Sequence, residues 1–156
     1  MIADDALEVQ IELAVSPEDA FNGFVHGMSD WSPSAYSWSG DGLKAMVIEP
    51  EPGGACYEIG PEDFRCDWGK VFNWEPFTEL GFSWQIGPDR VPVPDAAAAS
   101  RVNITFAATD SGTRLTLVHE GFDQYGAPGR AYRDMMAADS GWPYMLTCFQ
   151  TWCEPD

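Results

Sequence analysis

Ser140-Gly141-Trp142-Pro143-Tyr144-Met145-Leu146-Thr147-Cys148-Phe149-Gln150-Thr151-Trp152-Cys153 is the segment that the other elements have to accommodate. Trp142, Met145, Leu146, Phe149 and Trp152 recur at intervals of three and four, which puts them on one face of an α-helix. Ser140 is a suitable N-cap, and Pro143 is tolerated because it lies in the first turn. Thr147, Gln150, Thr151 and Glu154 fall on the opposite face. A stripe of two Trp, a Phe, a Met and a Leu requires a broad apolar partner.

The residues upstream supply that partner as strands. Leu7, Val9, Ile11, Leu13 and Val15 alternate with Glu8, Gln10, Glu12 and Ala14, the pattern of a half-buried strand. Ser16-Pro17-Glu18-Asp19 then provides an N-cap, a helix-starting Pro and first-turn acids. Ala20, Phe21, Phe24 and Val25 make the apolar side of a short helix that ends near Gly27. Asp30-Trp31-Ser32-Pro33 reads as a loop or a single turn. Further strands are expected over 43–49, 55–59, 64–74, 80–86, 102–106 and 113–121, separated by Gly- and Pro-rich turns. Gly69, inside one of them, signals a bulge or the close approach of another group. Residues 87–100, with Pro88, Pro92 and Pro94, form a long loop.

Asp110-Ser111-Gly112 turns the last two strands into a hairpin. Its alternation sets Phe106 opposite Leu115 and Ile104 opposite Leu117, with His119 on the inner face near Val102. A short helix over 130–138 precedes the final one. The whole, residues 1–156, is one α+β domain: a curved antiparallel sheet of six to seven strands wrapped around a long C-terminal helix.

Composition sets the outer bounds. A chain of 156 residues, 45% hydrophobic and 13% aromatic, builds one domain with a sizeable core. Its 25 acidic and 8 basic residues give a net charge of −17. That field repels nucleic acid and anionic membranes, and it reads either as a solvated acidic surface or as a preference for a cationic partner. No apolar run approaches a membrane span, and the first residues lack the basic and apolar regions of a signal peptide, so a cytoplasmic location is expected. Cys56, Cys66, Cys148 and Cys153 include no C-x-x-C pair and no neighbouring His cluster. No metal site is therefore expected, and the four are read as thiols. Whether Cys56 and Cys66, which flank a hairpin turn, approach each other is left open.

Several stretches together resemble a known family. They are Val15-Ser16-Pro17-Glu18 with Ala20-Phe21, Gly53-Gly54 with Tyr57-Glu58, Cys66-Asp67-Trp68-Gly69-Lys70-Val71, and Trp74-Glu75-Pro76. Next come Leu80-Gly81-Phe82-Ser83-Trp84-Gln85-Ile86, Gly112-Thr113-Arg114-Leu115-Thr116-Leu117-Val118-His119 and Gly141-Trp142-Pro143. In this order they resemble the START-like, or SRPBCC, superfamily. Within it the chain resembles the branch related to the C-terminal domain of the activator of the ninety-kilodalton heat-shock chaperone ATPase. The resemblance covers nearly the whole chain and implies a helix-grip fold with an elongated cavity between sheet and long helix. It leaves function open, because one fold hosts many functions.

Two kinds of site follow. Trp31, Trp68, Trp84, Phe122, Trp142, Met145 and Phe149 are candidates to line a pocket for a small apolar or aromatic molecule, although any one of them also serves as core packing. His119, facing inward, is a candidate to orient a polar group of that ligand. The leading reading is a binding protein without catalysis and without a cofactor. One alternative is a protein-interaction module with a chaperone partner; a homodimer is a further expectation. Another is a cyclase or hydrolase in which His119 pairs with an inward carboxylate, Glu58 or Asp67. No G-x-S-x-G, P-loop, G-x-G-x-x-G or H-E-x-x-H sequence occurs.

Overall fold

A computed structural model describes residues 6–33 and 37–154. Strand β1 (Leu7–Leu13) leads into helix α1 (Pro17–His26) and the single turn α2 (Met28–Trp31). Strands β2 (Ala45–Ile48), β3 (Ala55–Ile59), β4 (Arg65–Glu75), β5 (Glu79–Trp84), β6 (Ser100–Thr109) and β7 (Gly112–Glu120) follow. The helices α3 (Gly129–Ala137) and α4 (Trp142–Cys153) end the described chain. All pairings are antiparallel in one seven-stranded sheet of order β1-β7-β6-β5-β4-β3-β2. This is the helix-grip arrangement, with α4 lying against the inner face.

The local causes are those of the sequence. Ser16 Oγ accepts from Asp19 N at 3.1 Å and starts α1, with Pro17 in the first turn. The β6–β7 hairpin has the expected register: Phe106 pairs with Leu115, Ile104 with Leu117 and Val102 with His119. The register shifts beside Gly69, where a Cβ would stand 2.4 Å from the Ser83 carbonyl oxygen. A side chain there would force the two strands apart, so the position takes glycine.

Helix α4 buries Trp142, Met145, Leu146 and Phe149. Two details differ from expectation. Gly141, not Ser140, occupies the N-cap, and no side chain bonds there. Trp152 keeps 38% of its surface exposed. Its ring instead covers Gly23 and Gly27 of the α1 end, where any Cβ would collide with it, and stacks on Phe149. All four cysteines are free thiols, and Cys56 and Cys66 are not bridged. Among the described residues, no helix is long and apolar enough to cross a membrane.

Candidate functional site

The interior between sheet and helices has two ends of different character. At the β7 end lies His119, fully buried. Its Nδ1 is 2.9 Å from Trp142 Nε1, and its Nε2 is 2.7 Å from Ser100 Oγ. An indole N–H can only donate, so Nδ1 carries a lone pair. Burial lowers the imidazole pKa to about 3, so the ring is neutral and its one proton sits on Nε2. The rest of the chain then has one direction. His119 Nε2–H donates to Ser100 Oγ, whose hydroxyl donates to Tyr125 OH at 2.8 Å. Tyr125 OH donates to the Trp84 carbonyl at 2.5 Å and accepts from Ser100 N at 3.1 Å. Every member is satisfied.

This directionality rules out one tempting chemistry. A Ser and a His at 2.7 Å resemble a nucleophile and its base. Here Nε2 holds the proton and Nδ1 is occupied by Trp142, so no lone pair is left to deprotonate Ser100. Ser100 is itself fully buried.

The expected carboxylate partner of His119 is absent. Glu58 lies on β3 and His119 on β7, with β4, β5 and β6 between them in the sheet. Asp67 faces outward, where Arg65 Nε donates to it at 2.8 Å. The acid–base pair of the enzyme reading does not form.

At the other end, β2 to β5 and α2 frame a small cavity of about 30 Å³. That is room for a water or two. Trp31, Trp68, Trp84, Trp142 and Met145, among the residues singled out from sequence, border it. His119, Phe122 and Phe149 do not; the three are wholly buried behind that wall. His119 therefore supports Trp142 rather than reaching the cavity, a correction to its expected place. Phe122 packs on the imidazole with centroids 4.2 Å apart, and Phe149 fills the space beneath Trp31 and Phe24.

Sequence reasoning missed the methionines of this wall, Met28 and Met46, and could not orient Glu58. The turn α2 carries Met28 and Trp31 and is tied to β2 through Ser29, whose hydroxyl donates to Met46 O and accepts from Met46 N. Glu58, 2% exposed, points inward and borders the cavity. Its two oxygens accept from Trp38 N and Ser39 N, both at 2.9 Å. That loop is pinned again where Trp38 Nε1 donates to Arg90 O at 2.6 Å and Arg90 Nη2 donates to Ser37 O at 3.1 Å.

Beyond Trp84 and Ile86, which border both spaces, an open cleft of about 490 Å³ adjoins the cavity. Tyr132, Met135, Met136 and Tyr144 of α3 and α4 form one wall, and Pro88 and Arg90 the other. No group of metal-binding side chains occurs among the described residues.

Residues 14–154 match the family model described as activator of Hsp90 ATPase homolog 1-like protein. Among solved structures, the anthrahydroquino-gamma-pyrone synthase Txn09, solved in a complex, is 25% identical with a TM-score of 0.66. That match covers 94% of this chain and 95% of Txn09. A protein of Nitrosomonas europaea is 22% identical with a TM-score of 0.68, covering 96% and 94% of the two chains. CalC, a self-sacrificing resistance protein of Micromonospora echinospora, is 24% identical with a TM-score of 0.67, covering 95% and 93%. No curated protein matches the chain.

Proposed function

The chain belongs to the activator of Hsp90 ATPase homolog 1-like family, and from that premise we propose that it binds a small, largely apolar molecule between sheet and α4. The observation that carries this reading is the pairing of a Trp- and Met-lined cavity with an adjoining apolar cleft of about 490 Å³. A volume of that size falls within the range of small-molecule sites. The inner cavity alone is too small for such a ligand. The cleft holds the body of the molecule, and the flexible side chains of Met28, Met46 and Met145 repack to admit its end. That a synthase of similar fold was solved in a complex supports a ligand-binding reading.

Binding without turnover is the reading the geometry favours. The buried imidazole is already engaged at both nitrogens, and the inward carboxylate stands far from it. The test is native mass spectrometry of the protein taken from its own cells, wild type beside Trp84→Ala. A stoichiometric small molecule on the wild type that is lost from the variant supports the reading. A bare wild-type mass together with a co-purifying chaperone supports an interaction module instead.

A further inference from the structure

Resting on the reading of this cavity as a ligand site, we propose that its guest is an organic ammonium: a cationic head in the cavity, an apolar body in the cleft.

The proposal follows from what the cavity wall has left to offer. Four tryptophans border it, and each indole N–H is already engaged by the protein. Trp31 donates to Phe24 O at 3.3 Å, Trp68 to Met46 Sδ at 3.1 Å, Trp84 to Tyr132 OH at 2.7 Å and Trp142 to His119 Nδ1 at 2.9 Å. Only their electron-rich π-systems remain for a guest. The thioethers of Met28, Met46 and Met145 are acceptors as well. Among the described residues, Ser32 supplies the only hydroxyl on the wall.

Glu58 completes the pattern. It is a buried carboxylate on the cavity wall, and each oxygen takes one backbone N–H, which leaves further lone pairs on both. None of the ion pairs among the described residues includes it. An anionic guest meets this carboxylate and finds one hydroxyl in compensation. A neutral apolar guest gains burial alone. An ammonium gains the aromatic rings and neutralises the buried charge together.

The whole-molecule field points the same way, since a net charge of −17 draws cations toward any cleft. In the outer cleft, Arg90 is offset by Asp139 on the same lining, so the entrance has no excess positive charge.

The test is an NMR titration of the full chain with three probes of similar shape: benzyltrimethylammonium, neutral neopentylbenzene and phenylacetate. The indole N–H signals of Trp31, Trp68, Trp84 and Trp142 report binding at the cavity. Salt of about 0.5 M screens unspecific attraction to the acidic surface. The cation is expected to bind roughly tenfold more tightly than the neutral isostere, and phenylacetate to leave the four signals unmoved. Glu58→Gln should weaken the cation roughly tenfold and leave the neutral probe unchanged. Neutral or anionic probes binding as tightly as the cation overturn the charge preference while the ligand reading stands. If none of the three moves the indole signals at millimolar concentration, both fall. Should Glu58→Gln fail to fold, the ranking of the three probes on wild type still decides.

Discussion

His119 and Glu58 are both buried on the inner face of one sheet, and the protein treats them in opposite ways. His119 on β7 is enclosed by Phe122, Trp84 and Trp142, and its neighbours consume both of its nitrogens. Glu58 on β3 is fed by two amides of a loop and still faces a space. The imidazole is neutral, so it can be packed like a large apolar group once its bonds are made. The carboxylate needs donors, and the backbone of the loop over it supplies two of them, while the group still borders the cavity. The sheet thus has a sealed end, at His119, and an unsealed end, where Glu58 borders the cavity.

The largest break in this contrast comes from the residue that touches both ends. Trp142 packs at the head of α4, donates to His119 and borders the cavity. Trp142→Ala removes a buried indole and leaves Nδ1 without its donor, for a loss of about 3–5 kcal/mol in chemical denaturation. A loss of a few tenths would mean that the sealed end is not sealed by this ring. Glu58→Ala comes next, at about 2–3 kcal/mol, since the amides of Trp38 and Ser39 lose their acceptors together. If the unsealed end were merely surface, that change would leave the denaturation midpoint where it was.

The third prediction is one of pH. Burial holds the His119 pKa at about 3, against an ordinary 6.5. As pH falls through about 6.5 the unfolded chain takes up a proton that the folded chain refuses. The stability is therefore present above that pH and declines by about 1.4 kcal/mol per unit below it. Between roughly pH 6.5 and 5.5 ordinary carboxylates stay ionised, so this window isolates the imidazole. Denaturation series for wild type and His119→Gln should show the slope in the first and its absence in the second. Parallel slopes would contradict a neutral, sealed imidazole.

The two ends also differed in how far the sequence disclosed them. At the sealed end, Asp110-Ser111-Gly112 and strict alternation over 102–106 and 113–119 left one register in which the apolar residues share a face. Extending that parity back from Val102 would have found Ser100, the partner of His119. At the unsealed end, β3 is five residues long and reads Ala-Cys-Tyr-Glu-Ile, with no alternation to orient Glu58. The shift beside Gly69 breaks the parity of β4 as well. The indole count signalled an aromatic interior correctly. Which aromatics border the cavity depends on α2 and on the 37–42 loop, and both are placed by tertiary bonds: Ser29 to Met46, Trp38 to Arg90, and the Glu58 carboxylate. Helix α4 shows the same limit, since its periodicity could not reveal that Trp152 stays partly exposed and lies on Gly23 and Gly27 at the end of α1.

The smallest expected effect tests the loop that lies over Glu58. Trp38 Nε1 ties its loop to the carbonyl of Arg90, which borders the outer cleft. Trp38→Phe keeps an aromatic ring and removes this one bond, for about 0.5–1.5 kcal/mol at most in global stability. The local consequence is more telling than the global one. With that bond gone and the ties through Glu58 and Ser37 kept, the amides of Trp38 and Ser39 open more often, and their hydrogen exchange should accelerate. Amides of Leu117 and His119, paired across β6 and β1, should keep the protection set by global unfolding. Equal acceleration at both places would mean that the sheet opens as one unit and that its two ends are not independent. Acceleration confined to 38–39 would identify this loop as the part that moves when a guest enters, because it lies over an inward carboxylate with acceptor sites to spare.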